Sequence, residues 1–235
     1  MNAHLPAFWA VIPAAGVGAR MAADRPKQYL ELAGKTILEH SLDCFLGHPT
    51  LSGVVVSVAE DGPYWPGLPC ANDARIRRAD GGRERADSVL NALLLLHAQG
   101  ASASDWVLVH DAARPNLARS DLDKLLSELA DDPVGGLLAM PARDTLKRAD
   151  SNGRVSATVD RSTIWQAYTT QMFRLGALHR ALAECLVSDV VVTDEAPAIE
   201  WSGSAPRLVE GRSHNIKVTA PEDQEWLRQS RGGTR

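Results

Sequence analysis

The sequence predicts an α/β protein: an open, mostly parallel twisted sheet with helices on both faces, plus a projecting β-arm. Short unbroken apolar runs alternate with stretches at helical spacing, the pattern that builds a parallel sheet covered on both sides. The 235 residues, 45% of them hydrophobic and 23% charged, are enough to bury one sizeable core. A charged segment around Ser151-Asn152-Gly153 breaks the alternation. One domain is therefore expected over 1–235, with 141–170 as a projecting dimerisation arm and 229–235 as a fraying tail.

Trp9-Ala-Val-Ile-Pro13 is apolar and ends in a Gly-rich turn, which reads as a buried first strand. Thr36–Leu46 places Ile37, Leu38, Ser41, Leu42 and Phe45 on one helical face, with Thr36 and Glu39 forming a capping box. Strands are expected at Gly53–Ala59 and, after a Pro-rich loop, at Arg75–Ala79. A helix over Asp87–His97 carries Val89, Leu93 and Leu96 on one face. Trp106–His110 is a strand whose unbroken apolar run suits burial on both faces. Helix Ser120–Ala130 and strand Gly136–Met140 continue the rhythm.

From Arg143 to Gln171 the pattern changes. Thr145–Ala149 and Val155–Val159 flank the hairpin signal Ser151-Asn152-Gly153 and are too charged for a central pair, so they read as the arm. The core resumes with helix Gln171–Glu184, helix Asp194–Trp201, strands Arg207–Glu210 and Asn215–Val218, and helix Pro221–Arg228.

A formal charge of −4 argues against a continuous basic face for nucleic acid and favours a small ligand. The apolar start, Phe8–Ala15, has no preceding Lys or Arg and runs straight into Gly16, Gly18 and Arg20, unlike a signal peptide. No run is long enough to span a bilayer. Cys44, Cys70 and Cys185 are odd in number and lack zinc-site spacing, so structural thiols in a reducing, cytoplasmic setting are expected.

Four stretches carry candidate chemistry. Pro13-Ala14-Ala15-Gly16-Val-Gly18-Ala-Arg20-Met21, continuing to Pro26-Lys27-Gln28, follows the first strand. Its small residues let backbone N–H groups approach phosphate, and Arg20 and Lys27 add charge. Met21 stands where a dinucleotide fingerprint wants Gly or Ala, the acids Glu60 and Asp61 come too late for a ribose contact, and no Gly-Lys-Ser/Thr completes a P-loop. A triphosphate fits better than a dinucleotide. His110-Asp111-Ala-Ala-Arg114-Pro115 lies at a strand's carboxyl end, where open α/β sheets bind ligands. Asp111 can hold Mg²⁺, or simply pair with Arg114 in a loop; His110 reads as structural.

Gly81-Gly82-Arg-Glu-Arg85-Ala-Asp87-Ser88 can read a base edge, although Asp87 or Ser88 as a helix N-cap explains the same residues. Thr193-Asp194-Glu195 is equally open between cap and ligand, since a Thr or Asp before a helix is most often a cap. Lys217, in Asn215-Ile-Lys-Val-Thr219, is either a solvated strand position or a site cation that shares an edge with the others.

Taken together, PAAGVGARM, PKQ, GGRERADS, HDAARP, TDEA and NIKVT occur here in the order that characterises one family. The chain resembles the 2-C-methyl-D-erythritol 4-phosphate cytidylyltransferases from about Trp9 to Leu227. It departs from their pattern at Thr170, where many relatives have Pro, and at Pro197, where a small polar residue is common. The resemblance implies a Rossmann-like nucleotidyltransferase fold and transfer of CMP from CTP to methylerythritol phosphate with Mg²⁺. It implies that Arg20, Lys27 and Lys217 are catalytic, and that Ala14, Ala15, Gly16, Gly18, Gly81, Gly82, Ser88 and Asp111 meet the nucleotide, Asp111 also the metal. It assigns Arg114, Thr169 and Thr193 to the acceptor, with Thr145 and Arg161 reaching it from a partner subunit's arm. The rivals are a nucleotidyltransferase for another sugar or alditol phosphate, an NAD-dependent dehydrogenase, and a module that binds nucleotide without turnover.

Overall fold

The computed structural model describes residues 5–16, 25–188 and 190–232. Along the chain lie β1 (Phe8–Pro13), a small hairpin of β2 (Glu31–Leu32) and β3 (Lys35–Thr36), α1 (Ile37–Leu46), β4 (Leu51–Val58), β5 (Ile76–Asp80) and α2 (Arg85–Ala98). There follow β6 (Trp106–Val109), α3 (Arg119–Leu129), β7 (Gly135–Pro141), β8 (Leu146–Ala149), β9 (Val155–Val159) and β10 (Trp165–Arg174). The chain ends with α4 (Leu175–Val187), α5 (Glu195–Trp201), β11 (Arg207–Glu210) and α6 (Pro221–Gly232).

Seven strands form the main sheet in the order β11-β7-β10-β6-β1-β4-β5. Only β10 runs antiparallel to its neighbours, β6 and β7. Because strand side chains alternate, the central strands feed two cores. Phe8, Ala10 and Ile12 of β1 join Val54, Val56 and Val58 of β4 under α1 and α3. Val11, Val55, Val107 and Val109 face the opposite way, under α2, α4 and α5. Such valine-rich strands are fully buried, as a sheet covered on both faces requires. The Thr36 capping box is present: Glu39 N donates to Thr36 Oγ1 at 3.2 Å, and Thr36 N donates to Glu39 Oε2 at 2.8 Å.

Two sequence expectations are corrected. Gln171–Arg174 is not the start of a helix; it completes β10, and α4 begins at Leu175. Trp165, Tyr168, Thr169, Thr170 and Phe173 are strand formers, so local preference agrees with β10 over the helix expected from Gln171. The segment returning from the arm therefore re-enters the main sheet at Trp165, opposite Pro141. Asn215–Val218 is not a strand either. It is irregular backbone beside the loop after β6, held there by Val218 N donating to Ala113 O at 2.8 Å.

β8 and β9 form a separate two-stranded sheet, exposed along most of its length. Its turn is closed by Asp150, whose Oδ1 accepts the N–H groups of Asn152 and Arg154, both at 2.9 Å. Gly153 sits at φ +75, which explains the glycine. Among the described residues no helix is long and apolar enough to cross a membrane, and Cys44, Cys70 and Cys185 are free thiols.

Candidate active site

The parallel strands β1, β4, β5 and β6 all end on one side, and there the loops enclose a cleft of about 480 Å³. Ala14, Ala15 and Gly16, after β1, form one wall, joined by Lys27 and Gln28. Gln28 is the clasp: its buried Nε2 donates to Ala14 O at 2.7 Å and to Gly16 O at 2.8 Å. Gly82, Arg83, Glu84, Arg85 and Ser88 form a second wall, and Asp111, Ala112, Ala113 and Lys217 complete the lining.

The paired glycines have a steric reason. A Cβ on Gly81 would lie 2.2 Å from Ala15 Cβ, and one on Gly82 would lie 2.1 Å from Asp87 Cβ. The missing Cβ of Gly81 lets the two walls meet, and that of Gly82 lets the second wall fold onto the start of α2. Helix α2 starts at Arg85, earlier than expected, so neither Asp87 nor Ser88 is its N-cap. Glu84 holds that position, and its N–H donates to Asp87 Oδ2 at 2.8 Å. The Ser88 hydroxyl accepts from Gly82 N at 3.0 Å and donates to Glu84 O at 3.1 Å, which fixes the shape of the Gly81-Gly82 wall.

Asp111 is the electrostatic centre. Its Oδ2 lies 2.9 Å from Lys217 Nζ and 3.4 Å from Arg114 Nε, while Oδ1 accepts from Arg85 Nε at 3.2 Å. Burial disfavours its charge, but Arg85, Lys217 and Arg114 outweigh burial and hold the carboxyl well below the usual carboxylate range. Arg114 also donates to Asn215 O at 2.6 Å, which ties the Lys217 segment to the β6 loop. The lone Lys of the apolar stretch is thus brought beside the acid after β6.

β10 supplies the back of the site. Its pairing with β7 is interrupted between Ala167 and Gln171, and the peptide between Thr169 and Thr170 is cis. Thr169 Oγ1 accepts from Asp111 N at 3.0 Å, and Thr170 Oγ1 lies 3.0 Å from His110 Nδ1. His110 Nε2 bonds Arg114 O at 2.9 Å; burial lowers the imidazole pKa to about 4, so the ring is a neutral structural link.

Lys27, Lys217, Ala14, Ala15, Gly16, Gly82, Ser88 and Asp111 therefore line one cleft, with Gly81 packed behind it and Arg114 and Thr169 bonded to Asp111. Gly18 and Arg20 lie outside the described residues. Thr193 is exposed ahead of α5, and Thr145 and Arg161 are exposed on or beside the arm, not lining this cleft. Pro197 falls in the first turn of α5, where the missing N–H has no intrahelical partner to lose.

Sequence reasoning missed Gln28, Arg85 and Glu195. Glu195 is fully buried and takes two bonds from Arg85, Nη1 to Oε1 at 2.5 Å and Nη2 to Oε2 at 3.2 Å. Burial pushes the Glu195 carboxyl upward, against the pull of Arg85. A charged residue within each motif was the available signal, but their pairing is made only by the fold.

A cleft lined by cations and glycine-tightened backbone, without a His or Cys among the described lining residues, suits a polyphosphate better than covalent catalysis. The model of the 2-C-methyl-D-erythritol 4-phosphate cytidylyltransferase family matches residues 8–227. The chain belongs to that family. Among the cytidylyltransferases similar to it, one from Pseudomonas putida (strain GB-1) is 88% identical over 231 residues, 98% of each chain. One from Pseudomonas entomophila (strain L48) is 83% identical over the full length of both chains. A solved 4-diphosphocytidyl-2C-methyl-D-erythritol synthase superposes with a TM-score of 0.83 at 40% identity, covering 95% of this chain and 98% of that one. The cytidylyltransferase from Thermus thermophilus gives 0.77 at 27% identity, covering 97% and 98%. The Rossmann-like nucleotidyltransferase fold expected from the cytidylyltransferase motifs is the fold observed.

Proposed function

We infer that the protein transfers the CMP moiety of CTP to 2-C-methyl-D-erythritol 4-phosphate, giving 4-diphosphocytidyl-2-C-methyl-D-erythritol and pyrophosphate, a step of the non-mevalonate isoprenoid pathway. The observation that carries this reading is the cleft at the sheet's carboxyl edge, where Lys27, Asp111 and Lys217 converge beside the Gly81-Gly82 wall.

An oxygen of the acceptor's phosphomonoester attacks the α-phosphorus of CTP, a new P–O bond forms, and the bond to the β-phosphate oxygen breaks as pyrophosphate leaves. The second pKa of a phosphomonoester is near 6, so at neutral pH no base is required. The obstacle is repulsion between two anions. Lys27 and Lys217, together with Arg20, offset the charge that develops and keep attacking oxygen, phosphorus and leaving group in line. Ala14–Gly16, Gly81, Gly82 and Ser88 shape the cytidine side. Arg114, Thr169 and Thr193 are assigned to the acceptor.

Asp111 also fits as a ligand for Mg²⁺. Among the described residues no cluster of three or more His, Cys, Asp or Glu could hold a metal. One carboxylate beside a phosphate site is what Mg²⁺ usually takes, since it keeps several waters and binds substrate oxygens. When bound, Mg²⁺ would neutralise triphosphate charge. The exposed arm, carrying Thr145 and followed by Arg161, supports a homodimer in which each arm completes the other subunit's acceptor site. A cytoplasmic setting agrees with the three free thiols.

Pyrophosphate release with CTP, methylerythritol phosphate and Mg²⁺ tests the reading, with ATP, GTP and UTP as competing donors and other alditol phosphates as competing acceptors. CTP and methylerythritol phosphate should be strongly preferred. Equal turnover with ATP would overturn the assignment of the Gly81-Gly82 wall.

A further inference from the structure

Arg85 stands between two acids, and each of its three guanidinium nitrogens is bonded to one of them. Nη1 and Nη2 bind the two oxygens of Glu195, at 2.5 and 3.2 Å, while Nε donates to Asp111 Oδ1 at 3.2 Å. This planar fork can satisfy both acids at once, which a lysine ammonium cannot do with the same geometry. We propose that Glu195 is a positioning residue for the transfer: by binding both outer nitrogens of Arg85 it limits Arg85 to one bond with Asp111, at Oδ1, and keeps it off Oδ2, which faces Lys217 and Arg114. This rests on the reading that Asp111 serves the nucleotide.

Two observations separate this role from plain helix anchoring. α5 already has its own attachments: Ala196 N donates to Gln171 Oε1 at 2.8 Å, and Ala196, Ala198 and Ile199 are buried in the core. The charges also require it. Asp111 is approached by Arg85 at Oδ1 and by Arg114 and Lys217 at Oδ2, so an Arg85 without Glu195 would turn its outer nitrogens onto Asp111 and compete with Lys217 and Arg114 for Oδ2. Burial would favour that rearrangement, because unpaired guanidinium nitrogens inside the protein are costly.

The test is a double-mutant cycle. Glu195→Gln should lower kcat/KM for CTP by roughly 10–100-fold, the usual loss when a partner that orients a ligating group is removed. CTP binding in the presence of Mg²⁺, measured calorimetrically without acceptor, should weaken by about tenfold. Arg85→Lys keeps the charge but loses the fork, so it should show the same losses and serves if Glu195→Gln fails to fold. In an Asp111→Asn background, either change should cost less than about threefold more, because both act through Asp111. Losses that multiply with Asp111→Asn would overturn the proposal, as would Glu195→Gln and Arg85→Lys variants with unchanged kcat/KM and binding. If Asp111→Asn itself left binding and turnover intact, the nucleotide reading of Asp111 would fall, and the proposal with it.

Discussion

Replacing Lys217 with Ala separates catalysis from stability more sharply than any other single change. Its ammonium lies 2.9 Å from Asp111 Oδ2, and its side chain is 39% exposed. A pair that open to water contributes under about 1 kcal/mol. Asp111 also keeps Arg85 and Arg114 after the change. The melting temperature should therefore fall by no more than about 3 °C for a chain of this size. The transition state is different, because the lysine there offsets charge that forms on the phosphates. Loss of one such contact costs roughly 10²–10³ in kcat, or about 3–4 kcal/mol. The assay is steady-state pyrophosphate release at saturating CTP, acceptor and Mg²⁺, alongside a thermal melt. An unaltered kcat would make Lys217 a solvated residue, and a collapsed melt with no folded enzyme would make it structural.

Three further outcomes are expected. His110 titrates near 4 when folded, against its usual 6.5, so its stabilising contribution is intact above pH 6.5 and is lost as pH falls toward 4. Denaturant titrations from pH 7 to 4.5 should show His110→Asn losing less stability than the parent chain, by up to about 3 kcal/mol, and parallel curves would refute the assignment. Lys27→Ala and Arg161→Ala should each be nearly inactive, yet co-refolded together in equal amounts they should recover about a quarter of full turnover, because half the dimers are mixed and half their sites intact. Recovery no greater than the sum of the separate variants, with exchange confirmed, would remove Arg161 from a shared site. Gly82→Ala should lose most activity, because its Cβ would fall 2.1 Å from Asp87 Cβ; full activity would show that the wall yields.

The alternation of apolar runs and helical faces made the layered sheet legible, because the central strands had to feed a core on each face and the helices had to cover them. The Thr36–Glu39 box was legible because capping is local. β10 was not, because its pairing with β6 and β7 is set by partners distant in sequence. Asn215–Val218 has the composition of a strand but lies beside the loop after β6, and its backbone bonds go to that loop instead. The cleft followed the motifs closely: Lys27, Gly82, Ser88, Asp111 and Lys217 were all marked by type and neighbourhood. Arg85 and Glu195 escaped because neither motif reveals that the other's charge will be buried against it.

That buried pair divides the cations around Asp111 into two kinds. Arg85 is locked, its fork held by an acid with no exposure to water. Lys217 is shared, resting on Asp111 with more than a third of its side chain open to the cleft. An incoming triphosphate can compete for Lys217, since exchanging one carboxylate for phosphate oxygens leaves the lysine paired throughout. It cannot compete for Arg85 without stranding Glu195 in the core. The resting network is thus arranged so that one cation can move its charge onto the substrate while another keeps Asp111 in place, which is what a reaction driven by positioning and charge requires.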